Sequence, residues 1–180
     1  MIRGIILVLA VYAAVVAQEF LPSIPFLAGA RLLVVPVVFC YGALWMPFPA
    51  MLGFALYTGL LSDLSVLHVV GDQVEIGLGW SMLFYVVAGT FLHAARPLFL
   101  EGRWEVHCLG SAAVTLVLLV GQYLMVCLRR GSFLLDGAVF WNITGPALAA
   151  LFLAPPVYFF FQLLPEGASG RVRRGGRLSP

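Results

Sequence analysis

An all-α integral membrane protein of about six transmembrane helices is the fold class this sequence predicts, and three observations predict it. Of the 180 residues, 62% are hydrophobic and only 10% are charged, where a water-soluble domain carries roughly 25% charged residues. The mean hydropathy is +1.04, which leaves too few polar groups to cover a surface in water. The apolar residues also gather into runs near the roughly 20 residues that a membrane-crossing helix needs. Those runs do not alternate with polar residues as the strands of a membrane barrel do. An open sheet is excluded because lipid cannot satisfy its edge groups.

Six spans follow in order, at about 2–20, 32–46, 48–67, 76–95, 106–128 and 134–164. The first begins "MIRGIILVLAVYAAVVA" before "QEF". Its basic start, short apolar core and small residues also fit a cleaved signal peptide, but the apolar run continues and an alanine stripe gives it a packing role. The second span is short and is expected to be interrupted by Pro36. The third reaches a usable length only by carrying Asp63 with it. The sixth is longer than one crossing requires and is expected to tilt or break near Pro155 and Pro156. Residues 1–164 thus form one polytopic domain. Residues 165–180, "PEGASGRVRRGGRLSP", are a basic tail expected to be disordered and cytoplasmic.

All ten basic residues are arginine. With the N-terminus inside, Arg3, Arg96, Arg103, Arg171, Arg173, Arg174 and Arg177 fall on the cytoplasmic side, and Arg31, Arg129 and Arg130 outside. That excess favours cytoplasmic termini by the positive-inside rule. Trp45 and Trp104 then mark the inner boundary, Trp80 and Trp141 the outer one, where amphipathic rings settle. Cys40, Cys108 and Cys127 lie in apolar runs without metal-type spacing and read as buried free thiols.

In lipid, helices recognise one another through small and hydrogen-bonding side chains. Stripes at helical spacing occur at Ala10, Ala14 and Ala17, and at Ala55, Gly59 and Asp63. Others are Ser111, Thr115, Leu118 and Gln122, and Asn142, Gly145 and Ala149, with Ala150 and Ala154 on a neighbouring face. Asp63 is the costliest of these, since an intramembrane acid needs a partner or nearby water. Arg31, Arg129 and Arg130 are candidate partners; plain termination of the span, with the carboxylate facing water, is the alternative.

Catalytic signatures are missing. There is no G-x-S-x-G, no H-E-x-x-H, no phosphate-cradling loop and no dinucleotide fingerprint. His68, Asp72 and Glu75 would share a face on a helix, but "HVVGDQVEIG" reads as a solvated loop, so no metal or other cofactor is expected. His93 and His107 flank "HAARPLFLEGRWEVH" and, with Arg96, Glu101, Arg103 and Glu105, read as an interfacial charge cluster. The tail arginines suit anionic lipid and not nucleic acid.

Size, span count and one motif resemble the MreD family of rod shape-determining proteins. The motif is an apolar span with a Gly-Phe pair, a further glycine and a terminal aspartate: Gly53, Phe54, Gly59 and Asp63 in "GFALYTGLLSD". "LLVVPVVFCYGALWMP" and "TGPALAALFLAPPVYFFFQLL" are similar to that family's second and closing spans. Two features depart from it: Ala30-Arg31 stands where the family commonly has an acid after a proline, and the turn after Asp63 is longer and more acidic. The resemblance implies a non-enzymatic inner-membrane subunit of the cell-elongation (rod) complex. It would bind the single-span protein MreC and link cytoplasmic MreB filaments to wall synthases. Its partner or packing face would include Ala55, Gly59, Asp63, Gly53, Phe54, Gln122, Asn142, Gly145 and Ala149. The bundle would be similar to substrate-binding components of energy-coupling-factor transporters. That similarity supplies the alternative, a vitamin-type transporter subunit with a pocket drawn from Asp63, Asp72, Glu75, Gln122, Asn142 and Arg129.

Overall fold

The shortest predicted span forms the centre of the molecule. In the computed structural model, which describes residues 2–21, 32–66, 69–70, 73–74, 79–99, 104–131, 133 and 136–163, helix α2 (Val35–Trp45) is buried along its whole length from Val35 to Leu44. At 1.5 Å per residue its eleven residues reach only about 16 Å, well short of the roughly 30 Å hydrocarbon core. Pro36 does not interrupt it, contrary to expectation. It sits in the first turn, where the missing N–H has no helical partner to lose and the fixed φ suits the helix.

Around α2 lie α1 (Ile2–Phe20), α3 (Phe48–Val66), α4 (Trp80–Ala94), α6 (Trp104–Arg130) and α7 (Gly137–Gln162), all of which touch it. A four-residue helix, α5 (Arg96–Phe99), joins α4 to α6. Between α3 and α4, in the stretch expected to be loop, β1 (Val69–Val70) pairs antiparallel with β2 (Gln73–Val74), Val69 opposite Val74. Apart from this hairpin the regular secondary structure of the described residues is helical. Three helices, α1, α6 and α7, are long and apolar enough to cross a membrane.

The start of α1 and the ends of α2 and α7 meet at one end of the bundle, where Arg3, Trp45 and Phe161 line a common cavity. The end of α1, the start of α2 and the end of α3 meet at the other, around Gln18, Val35 and Ser65. The helices therefore run alternately up and down. The outside is apolar: Ile5, Leu9, Phe91, Leu109, Phe152 and Phe160 are all more than half exposed. An apolar surface this extensive suits acyl chains and not water.

α7 does not break at Pro155 and Pro156. It is one continuous helix that also carries Pro146. Proline inside a helix removes one backbone donor and crowds the preceding turn, but membrane helices tolerate it where neighbours re-satisfy the freed groups. α6 and α7 form one extensive seam, α3 and α4 the other. Within these helices Thr58, Ser65, Thr90, Thr115 and Thr144 turn their hydroxyls back onto the carbonyl four residues earlier, which hides a polar group in apolar surroundings.

Candidate functional site

The α3–α4 seam is built on two residues of the motif "GFALYTGLLSD". Gly59 is buried, and a Cβ added there would fall on the backbone of Ser81 and Met82. Only glycine lets α4 approach this closely. That approach brings the N-terminus of α4 one turn further along α3, to Asp63. The residue that should cap α4 is Gly79, held at φ +104°, and it has no side chain with which to cap. Asp63 supplies the cap from the neighbouring helix. Its Oδ2 accepts from the Gly79 N–H at 2.7 Å and its Oδ1 from the Ser81 N–H at 3.2 Å. These donors belong to the first turn, which has no helical acceptors, and the helix dipole favours a carboxylate there.

Asp63 is only 5% exposed, so it does not terminate the span in water. Its acceptors are used by backbone donors. Arg31, one proposed ionic partner, lies outside the described residues; Arg129 is exposed on α6. Ala55, one turn below Gly59, is fully buried, and Phe54 is buried with its ring stacked on Phe39 at 5.8 Å. Gly53 differs: it is exposed and a Cβ there would meet nothing within 4 Å. It faces away from the bundle.

The other predicted stripes divide. On α6, Ser111, Thr115 and Leu118 are buried and Gln122 half-buried. On α1 the inward face is Leu7, Val11 and Ala14, with Ala10 at its edge and Ala17 exposed. On α7 the packed face is Ala147, Ala150 and Ala154, beside the buried Gly145; Ala149 is half-buried and Asn142 exposed. The neighbouring-face alanines, not Asn142, carry that seam.

Among the described residues, the groups proposed for a ligand pocket are not gathered in one cavity. Asp63 is occupied as a cap, Asn142 and Arg129 lie on exposed faces, and Asp72 and Glu75, like His68, lie outside the described residues. A different polar cavity of about 220 Å³ occurs at that end of the bundle. Gln18, Glu19, Ser62, Ser65, Tyr85 and Gln122 contribute its polar lining, and Gln18 Oε1 also accepts from the Val34 N–H at 3.2 Å, anchoring the start of α2.

At the opposite end His107 departs from its expected place in a charge cluster. It is 3% exposed, its ring 5.7 Å from Tyr41 and 5.3 Å from Tyr158. His93 is half-buried beside Phe48, with Glu105 exposed; Glu101, Arg103 and residues 165–180 lie outside the described residues. Tyr41 also stacks on Phe161 at 4.8 Å, so one aromatic cluster ties α2, α6 and α7. Nothing in the sequence spacing signals it, because Tyr41, His107 and the Tyr158–Phe161 pair are dozens of residues apart. Gly79 and Ser81 were equally hidden, although a glycine opening an apolar helix is a signal that the cap must come from elsewhere. Cys40, Cys108 and Cys127 are buried free thiols.

Two open apolar grooves run along the outer surface, between α4 and α6 beside Ala88, Gly110 and Ala113, and between α6 and α7 beside Ala112, Trp141 and Leu148. No protein-family model, no curated protein and no solved structure matches the chain.

Proposed function

We propose that the chain is a six-span, non-catalytic scaffold subunit of the bacterial cytoplasmic membrane, similar to the MreD family, with both termini cytoplasmic. It binds an MreC-like single-span protein and helps link MreB filaments inside to wall synthases outside. The observation that supports this reading best is the use made of "GFALYTGLLSD": Gly59 and Asp63 lock one helix to the next through backbone. The most distinctive polar group of the chain thereby serves architecture, which is what a scaffold requires. Since Ala55 and Gly59 are consumed inside the bundle, the partner's span lies against the outer faces, where packing depends on small residues and close fit.

Affinity purification from bacterial membranes tests the proposal. The single-span partner should co-purify, without a vitamin-sized ligand. Recovery of a bound small molecule together with an ATPase module would replace this reading with the transporter one. The observation favouring that second reading is the polar cavity around Gln18 and Gln122. Its volume of about 220 Å³ is below the roughly 300–1,000 Å³ usual for ligand pockets, which weighs against it.

A further inference from the structure

α1 is the least enclosed of the three helices long enough to cross a membrane: 17% of its crossing stretch is buried, against 28% in α6 and in α7. It packs chiefly on α2 and α3, through Leu7, Val11 and Ala14. The opposite face is bare over its middle, where Leu9, Tyr12, Ala13, Val16 and Ala17 are all exposed. One of these residues does not suit a hydrocarbon neighbour. Tyr12 is 54% exposed and lies about 15 Å from the start of α1 and about 12 Å from its end. That is the middle of the crossing, whereas tyrosine settles at the membrane interfaces, its ring in lipid and its hydroxyl in water. Among the described residues the Tyr12 hydroxyl has no hydrogen-bond partner. Thr58, Thr90, Thr115 and Thr144 avoid this difficulty by bonding a carbonyl of their own helix. A hydroxyl at the far end of a rigid ring cannot fold back in that way.

The chemistry asked of whatever covers this face is specific. An acyl chain offers the hydroxyl neither donor nor acceptor, and a non-helical segment at this depth would bring unpaired amides of its own. The occupant is therefore a transmembrane helix. An unrelated helix would need a polar group at this one depth. A second copy of α1 carries one by necessity, since in a parallel two-fold pair each residue meets its equivalent at the same height. Tyrosine suits such self-pairing because its hydroxyl both donates and accepts. The rest of the face is self-complementary too. It holds no charge, and Leu9, Ala13 and Ala17 lie four apart in one row, with Tyr12 and Val16 in the row beside it. Alanine near the centre lets two backbones approach, as small residues do where membrane helices cross.

We propose that the chain forms a parallel dimer through the outer face of α1, with Ala13 at the crossing point and the Tyr12 hydroxyl bonded to the second helix. Ala17, which faces away from the bundle, then packs between copies. The inference is independent of the scaffold reading, since it needs only that α1 crosses a bilayer.

Photocrosslinking and energy transfer test it on the full-length chain. A benzophenone amino acid placed at Leu9 and irradiated in bacterial membranes should give an adduct of twice the chain's mass. The same group at Phe91, exposed on α4, should not. A Leu9 adduct with a different protein, or with lipid alone, would overturn the proposal. In liposomes, energy transfer between differently labelled copies should show self-association. Tyr12→Phe, which keeps the ring and removes only the hydroxyl, should raise the dissociation constant about threefold to tenfold, the usual worth of one hydrogen bond between membrane helices. Ala13→Leu should abolish the transfer by forcing the backbones apart. Both positions face away from the bundle, so the unfolding temperature of each variant should stay at the wild-type value while association is lost. A monomeric wild type, or association unchanged in Tyr12→Phe, would refute the dimer.

Discussion

Asp63 shows how a carboxylate within a bundle of apolar helices can be held by backbone donors. Two backbone donors that α4 cannot satisfy by itself are aimed at it, so removing the side chain leaves both N–H groups unmatched, that of Ser81 buried and that of Gly79 part-buried. Asp63→Ala should therefore cost about 1–3 kcal/mol, the usual penalty for an unsatisfied buried donor. Asp63→Asn, which keeps one acceptor oxygen, should cost less. Thermal unfolding of the detergent-solubilised protein measures both, and wild-type stability in Asp63→Ala would disprove the cap. A similar argument applies at Gly79, whose φ of +104° is strained for any side chain; Gly79→Ala should lower the unfolding temperature although space for a methyl is open. The importance of Asp63 was legible in the sequence because a charge stands out in an apolar run. Its partners were not, because backbone N–H groups carry no residue label.

Along α3 two glycines six residues apart make opposite predictions. At Gly59 a methyl would strike the main chain of α4, which cannot rotate aside as a side chain can, so Gly59→Ala should destabilise by about 1–3 kcal/mol, as overpacking does. At Gly53 nothing is near, and Gly53→Ala should be neutral or stabilise by up to about 1 kcal/mol through helix propensity. Combined with Asp63→Ala, Gly59→Ala should fall short of additivity in the same unfolding measurement, since both act on one seam. Additive costs would mean that approach and cap are independent. The seam could be read from sequence because small and polar residues contrast with their neighbours. The inward face of α1 could not, for lipid removes that contrast: Leu7 and Val11 are buried while Ile5 and Leu9, equally apolar, are exposed. On α7 Gly145, Ala150 and Ala154 are buried as expected and Asn142 is exposed, and the contrast is weak for the opposite reason. Gly145, Ala147, Ala149 and Ala150 surround the helix with small residues, and nothing local selects which ones pack.

At the scale of the whole molecule the helix ends fall within a few residues of the predicted apolar runs, because those runs are punctuated by arginine, glycine and proline. The depth of α2 was invisible, since a helix enclosed by protein and one facing lipid have the same composition. What the alternating arrangement implies about orientation can be tested with the chain's own thiols. Cys40, Cys108 and Cys127 are at most 6% exposed, so wild type should not react with a membrane-impermeant maleimide and needs no cysteine removal. Phe133, between α6 and α7, is 64% exposed, and Pro97, in α5, is exposed at the opposite end of α6. With cytoplasmic termini, Phe133→Cys should label in intact spheroplasts and Pro97→Cys only after permeabilisation. The reverse pattern would invert the orientation while preserving the fold. Labelling of both from one side would mean that α6, about 40 Å long from its 27 residues, does not cross, and the six-span scaffold would fail with it.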